Sequence, residues 1–133
     1  MQVRGTYRSA LAVIPLIGAM VVYGAAPGLA AGEIDGKTAF NNSCRTCHAL
    51  YAGDNRLGPS LHAIVGKKAG TTEGNQFSSA MKSAGFEWSK EKLAAFIDNP
   101  EAVVPGNNMK PYAGVKEQSH RDAIVDFLVG GAK

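Results

Sequence analysis

The residues best equipped for chemistry lie together in Cys44-Arg45-Thr46-Cys47-His48. Two thiols three residues apart, followed at once by an imidazole, match the Cys-x-x-Cys-His pattern of covalent haem attachment. On a helix, residues three and four apart share a face with Cβ atoms roughly 5–6 Å from one another. Thiols so spaced reach the two vinyl edges of one macrocycle, and the next residue, His48, can swing beneath the iron. A Cys44–Cys47 disulfide beside a bystander His48 is one alternative. A redox dithiol is another, but it wants a strand-helix-strand context that this chain lacks. Zinc fits less well, because the chain has 2 cysteines and 3 histidines and no second ligand pair at finger spacing.

A single haem leaves a second axial position on the iron, and its occupant separates electron carriers from haem enzymes and sensors. Met109 is the residue expected there. It lies in Pro105-Gly106-Asn107-Asn108-Met109-Lys110-Pro111, a polar loop in which an apolar thioether has no evident core to fill. A soft thioether stabilises ferrous iron and raises the potential, and two filled axial positions limit ligand access. The rivals are Met81, within a short predicted helix and read as core, and His62 and His120, read as surface or capping residues.

The elements that must position these groups begin after a leader. Residues 1–31 run from a basic start (Arg4, Arg8) through an apolar stretch from Ala10 to Tyr23 to small residues ending Ala30-Ala31, which is signal-peptide grammar. Cleavage after Ala30 or Ala31 leaves a domain at 32–133 in the periplasm. The competing reading is an uncleaved membrane anchor, since no charge falls between Arg8 and Glu33, although Pro15, Gly18, Gly24, Pro27 and Gly28 weaken such a helix. No adjacent arginine pair is present, so the general export route is expected. The net charge of +3 includes both leader arginines; the remainder has 12 basic and 11 acidic residues, and no basic stretch with interleaved aromatics suggests nucleic acid.

Within the domain, Glu33 and Asp35 place acid at the start of a helical stretch through Ile34, Ala39, Phe40, Cys44 and Cys47. Ala49 to Gly74 reads as loop. A short helix from Ser78 to Ala84 stops at Gly85. Ser89 is a predicted N-cap, with Trp88 stapled on Leu93, for a helix that carries Phe96 and Ile97 and ends before Asn99-Pro100. A turn at Glu101 to Val104 leads into the Met109 loop, which runs to Gly114. The last helix spans about Glu117 to Val129, with Ile124, Phe127 and Leu128 on its apolar face. No convincing strand pattern appears. The fold class expected is all-α, short helices and long loops wrapped around one covalently bound haem, and loops of such length need a functional reason.

From Gly36 to Leu128 the chain resembles the small class I cytochromes c of mitochondrial and soluble bacterial type. The resemblance rests on ordered motifs: Gly36-x-x-x-Phe40, Cys44-x-x-Cys47-His48, Gly58-Pro59-x-Leu61-His62, Gly66-Lys67-Lys68-x-Gly70, Trp88, Asn99-Pro100, Pro105-Gly106-x-x-Met109, and a final helix with Ile124 and Phe127. It implies the class I cytochrome c fold and one haem c bound through Cys44 and Cys47. It implies one-electron outer-sphere transfer, with no substrate chemically altered. By the same resemblance the Pro59 carbonyl accepts a hydrogen bond from His48, Trp88 lies near a haem propionate, and Gly36 and Phe40 meet Ile124 and Phe127 where the first and last helices cross.

The partners implied are redox proteins, such as a quinol-cytochrome c reductase, a terminal oxidase, a reaction centre or a periplasmic dehydrogenase, met by a monomer that touches the membrane only through them unless the leader is retained. Lys37, Lys67, Lys68, Lys82, Lys110 and Lys116 are the residues that could form a positive docking rim. Two alternatives stand beside the free carrier: a small cytochrome subunit of a dehydrogenase, and a haem-based sensor or enzyme with a displaceable distal ligand. The chain departs from the mitochondrial pattern at Phe77 and Phe96, where tyrosines are usual, at Asn107, where threonine is usual, and by one extra residue near Lys110 and Pro111. These departures lead to the expectation of an altered potential and a less firmly held Met109.

Overall fold

The computed structural model describes residues 34–131; the leader and its cleavage site lie outside them, as does Glu33. Five helices follow in order: α1 (Gly36–Ser43), α2 (Ser79–Lys82), α3 (Lys90–Asp98), α4 (Pro100–Val103) and α5 (Gln118–Val129). The architecture is all-α, as expected. The one strand-like feature among the described residues is an isolated antiparallel bridge between Lys68 and Glu87. Around it Gly66 N donates to Trp88 O (2.8 Å) and Trp88 N to Lys67 O (2.9 Å), which fastens the long loop to the approach to α3.

Side-chain caps start the first four helices. The Asp35 carboxylate accepts from Thr38 N at 3.0 Å, Ser78 from Met81 N at 3.1 Å, Ser89 from Lys92 N at 3.2 Å and Asn99 from Ala102 N at 3.3 Å. Each satisfies an amide that has no partner inside its helix. Pro100 follows its cap at the first helical position, where an N–H would be idle. The stretch expected as a turn is therefore a one-turn helix. Arg121 performs a related task before α5, donating to Val115 O (2.9 Å) and Lys116 O (2.7 Å).

The core forms where α5 packs against both α1 and α3. Phe40 and Ile124 are 1% and 0% exposed, and each such burial stabilises by roughly 1.5–3 kcal/mol. Phe40 also meets Phe127 with ring centroids 5.7 Å apart. Gly36 allows this crossing, since a Cβ there would overlap the Ala123 carbonyl and lie 2.6 Å from Phe127 Cβ. The buried stripe of α5 is Ile124, Val125 and Leu128, with Phe127 half-buried. Contact with helices on two sides makes that stripe wider than the single face expected from periodicity.

One expectation needs correction. α1 ends at Ser43, so Cys44 and Cys47 do not ride on a helix. The Phe40 carbonyl accepts from both Cys44 N (2.8 Å) and Arg45 N (3.2 Å), and the Cys44 carbonyl then accepts from Cys47 N (3.1 Å) and His48 N (2.9 Å). This pair of turns ends the helix and re-aims the thiols and the imidazole. Residues at that spacing stay neighbours because the turns replace the helical face.

Candidate functional site

Behind these turns lies a cavity of about 470 Å³, in the size range of pockets that enclose cofactor-sized molecules. Cys44, Cys47, His48, Pro59, Trp88 and Met109 all line it. A second hollow, about 580 Å³, opens beside the start of α1 and holds no sulfur or histidine on its wall. The chemistry therefore belongs to the first cavity. Much of the rest of its wall is apolar, from Ile64, Leu93, Phe96, Ile97, Ile124 and Leu128.

His48 is 7% exposed, and its Nδ1 lies 2.7 Å from the Pro59 carbonyl. A carbonyl only accepts, so Nδ1 carries the proton and Nε2 keeps a free lone pair, the form of histidine that binds metals. Burial pushes the imidazole below its ordinary pKa, and the Pro59 bond partly opposes that. Burial keeps the ring neutral and the Pro59 bond orients it. Gly58 lies so close to it that a Cβ there would stand 2.9 Å from Nδ1 and 3.1 Å from Nε2. Cys44 is buried and Cys47 partly so, and both thiols are free, so the disulfide reading is not adopted. Burial, and secondarily the neighbouring Cys47, pushes the Cys44 thiol up to about 11.

Trp88 packs edge-on against Phe86 (4.9 Å between centroids) and Phe96 (5.1 Å), which fixes its indole in the cavity wall. Phe77 lines the same wall. Met81, read as core, is buried on α2 and also borders the cavity. His62 is exposed, with Nδ1 3.2 Å from the Leu50 carbonyl, and His120 is exposed on α5; neither reaches the cavity.

Met109 is half-buried at the cavity edge, on a loop tethered at several points. Its N–H donates to Asn107 Oδ1 at 2.9 Å. Asn107, 4% exposed, donates from Nδ2 to Glu101 Oε2 (3.1 Å) and to Val104 O (3.0 Å). Glu101 Oε1 accepts from Gly106 N at 2.9 Å, and Oε2 pairs with Lys110 Nζ at 3.3 Å. Hydrogen bonding from Gly106 and Lys110 holds the Glu101 carboxyl below the usual carboxylate range. On the other flank Asn108 donates to Gln76 O at 3.1 Å. Where a threonine hydroxyl is usual, the Asn107 amide therefore ties the Met109 N–H to Glu101 and Val104.

Glu101 gave no signal in the sequence, since its partners lie across a loop with no periodic spacing. Three of the six lysines named for a docking rim have partners in the structure. Lys110 is bound to Glu101, Lys116 to Asp98 (3.0 Å), and Lys67 Nζ to the His62 carbonyl (2.7 Å). Among the six lysines, only Lys110 lines the cavity.

The donor set fits a covalently bound haem. Two thiols and a buried neutral imidazole approach one apolar cavity from adjacent turns, and a thioether reaches it from a separate loop. Comparison with known proteins agrees: the cytochrome c family model matches residues 34–131. A cytochrome c from Stellaria longipes is 34% identical over 99 residues, covering 74% of this chain and 91% of the relative. A cytochrome c2 iso-2 from Magnetospirillum molischianum is 38% identical over 85 residues, covering 64% and 87% respectively. Among solved structures, cytochrome cH from Methylobacterium extorquens is similar with a TM-score of 0.65 at 33% identity, covering 71% of this chain and 94% of that one.

Proposed function

The chain belongs to the cytochrome c family, as a one-haem electron carrier of class I, and on that premise we propose that it works in the periplasm with His48 and Met109 as the axial ligands of a haem c bonded to Cys44 and Cys47. The observation that carries this reading is the convergence of both thiols, His48 and Met109 on a single cavity. When bound, the haem supplies the ferric/ferrous couple that accepts and releases one electron.

The chain's own residues supply ligation, orientation and burial. His48 presents Nε2 because Pro59 holds its Nδ1 proton at 2.7 Å, a bond that also raises the basicity of the ring. Met109 offers a soft donor from the tethered loop. Trp88, in the cavity wall, would give its indole N–H to a haem propionate, and the apolar residues Leu93, Phe96 and Leu128 would keep water away from the iron. With His48 and Met109 both supplied by the protein to hold the haem, its surroundings would change little between oxidation states, which suits outer-sphere transfer to a docked partner.

The partners are respiratory or photosynthetic redox proteins, or a periplasmic dehydrogenase, met by a monomer carrying residues 32–133 after loss of the leader. Among the described residues no helix is long and apolar enough to cross a membrane. With 12 basic against 11 acidic residues beyond position 31, steering would come from local asymmetry of charge, and salt-sensitive association rates would reveal it.

The test is to purify the exported protein, weigh it intact and record its spectra. A mass equal to residues 32–133 plus one haem supports cleavage and covalent attachment. A low-spin spectrum with the weak red absorption of a thioether–ferric bond, lost in Met109→Leu, supports the ligation. A red band that survives in Met109→Leu, or rapid, tight carbon monoxide binding by the reduced wild type, would overturn it.

A further inference from the structure

We propose that Glu101 and Asn107 are positioning residues for Met109, forming a relay from α4 to the Met109 backbone that keeps the thioether on the iron. The inference rests on the reading of Met109 as an axial ligand. It starts from the place of Met109 on the cavity wall, in a loop whose backbone is held by side chains of a neighbouring segment.

Three hydrogen bonds make the connection. Glu101 lies in the single turn of α4, which is anchored by the Asn99 cap and by Pro100. From there its carboxylate accepts from Gly106 N (2.9 Å) and from Asn107 Nδ2 (3.1 Å). The same Asn107 amide accepts from Met109 N through Oδ1 at 2.9 Å. Asn107 is 4% exposed, and its second contact, to Val104 O at 3.0 Å, completes the use of both Nδ2 protons. A buried amide with its donors and one acceptor site engaged has one favourable orientation, since any rotation would leave polar atoms unpaired in a dry site. Gly106 adopts φ +82, and its pinned N–H fixes the turn that leads into Asn107.

A ligand that competes for the iron reads the strength of this relay. Binding of external imidazole to ferric protein requires the Met109 sulfur–iron bond to break, and a nitrogen–iron bond forms in its place with no change of oxidation state. The apparent affinity for imidazole is the intrinsic affinity scaled by the fraction of molecules whose Met109 is off the iron. Loss of the relay raises that fraction.

The experiment titrates oxidised haem-loaded protein with imidazole and follows bleaching of the red thioether–ferric band. Asn107→Ala should bind imidazole about tenfold more tightly than wild type, in keeping with the net worth of one to two hydrogen bonds. Glu101→Ala should move in the same direction, with Glu101→Gln, which retains one acceptor oxygen, between it and wild type. Lys90→Ala, which removes the 2.8 Å ion pair with Asp126 away from this loop, should stay within about twofold of wild type. If Asn107→Ala does not fold, the exposed Glu101 variants decide the matter alone. Variants that bind imidazole within about twofold of wild type overturn the relay, whatever their thermal midpoints. A wild-type protein without the red band would instead remove the ligation reading on which the relay stands.

Discussion

Replacing Gly58 by alanine puts a methyl group where the face of the His48 ring now lies. A Cβ there would be 2.9 Å from Nδ1 and 3.1 Å from Nε2, and closer still to Cε1, against ordinary contact at 3.4–4 Å. Gly58 does not use left-handed backbone, so alanine meets no torsional penalty and the whole effect is steric. Either the ring or the 58–60 segment must yield by several tenths of an ångström. The backbone of that segment is held by Gly58 N to Cys47 O at 2.8 Å and Ser60 N to Asn55 Oδ1 at 2.9 Å, so the strain falls on the 2.7 Å bond between His48 and Pro59. Overpacking of this kind costs about 1–3 kcal/mol, and a weakened buried hydrogen bond adds about 1 kcal/mol. The sum, roughly 2–4 kcal/mol, corresponds for a domain near 100 residues to a fall in Tm on the order of 10–20 °C. A less firmly bonded Nδ1 proton also makes His48 a poorer donor to ferric iron, so the potential should rise. Thermal unfolding and redox titration of the haem-loaded protein read both quantities. A variant within about 0.5 kcal/mol of wild type and with an unchanged potential would refute the claim that Gly58 is needed to seat the proximal ring.

Gly36→Ala should destabilise by roughly 1–3 kcal/mol in denaturant titrations, because the added methyl must push α5 away from α1 at the Ala123 carbonyl and Phe127 Cβ. Asp35, whose carboxyl is held below its ordinary range chiefly by hydrogen bonding to Thr38, supports α1 while ionised. Its contribution should be complete above the unfolded-state value of about 3.9 and be lost as the pH falls through the lower folded-state value. Asp35→Asn keeps a capping side chain without the charge, so the stability difference from wild type should be level above about pH 5 and change only below about pH 4. Lys90→Ala, at an ion pair whose side chains are 51% and 70% exposed, should leave the denaturant midpoint where it is in wild type.

The amino-acid sequence alone made the attachment segment, the Met109 loop, the Ser89 cap and the helix end before Pro100 legible. Each depends on residues within a few positions of one another, where spacing and side-chain chemistry act directly. The stop of α1 at Ser43 was not legible in the same way, because Cys44 and Cys47 continue an acceptable helical pattern. The close of that helix depends on turns that carry His48 to Pro59, eleven residues further along the chain. The pairing of Lys110 with Glu101 and of Lys116 with Asp98 was not legible for a similar reason: charge is visible in a sequence, but the contacts it makes across the fold are not.

What the sequence by itself determined is the identity of the groups that can bond haem and the all-α character of the domain around them. Only the tertiary structure decided that Gly58 must be small because an imidazole lies against it, and that Asn107 acts as a tether through Glu101. Ligand identity is a property of single residues and short spacings, whereas ligand position is set by packing and hydrogen bonds between segments far apart in the chain, and those exist only once it has folded.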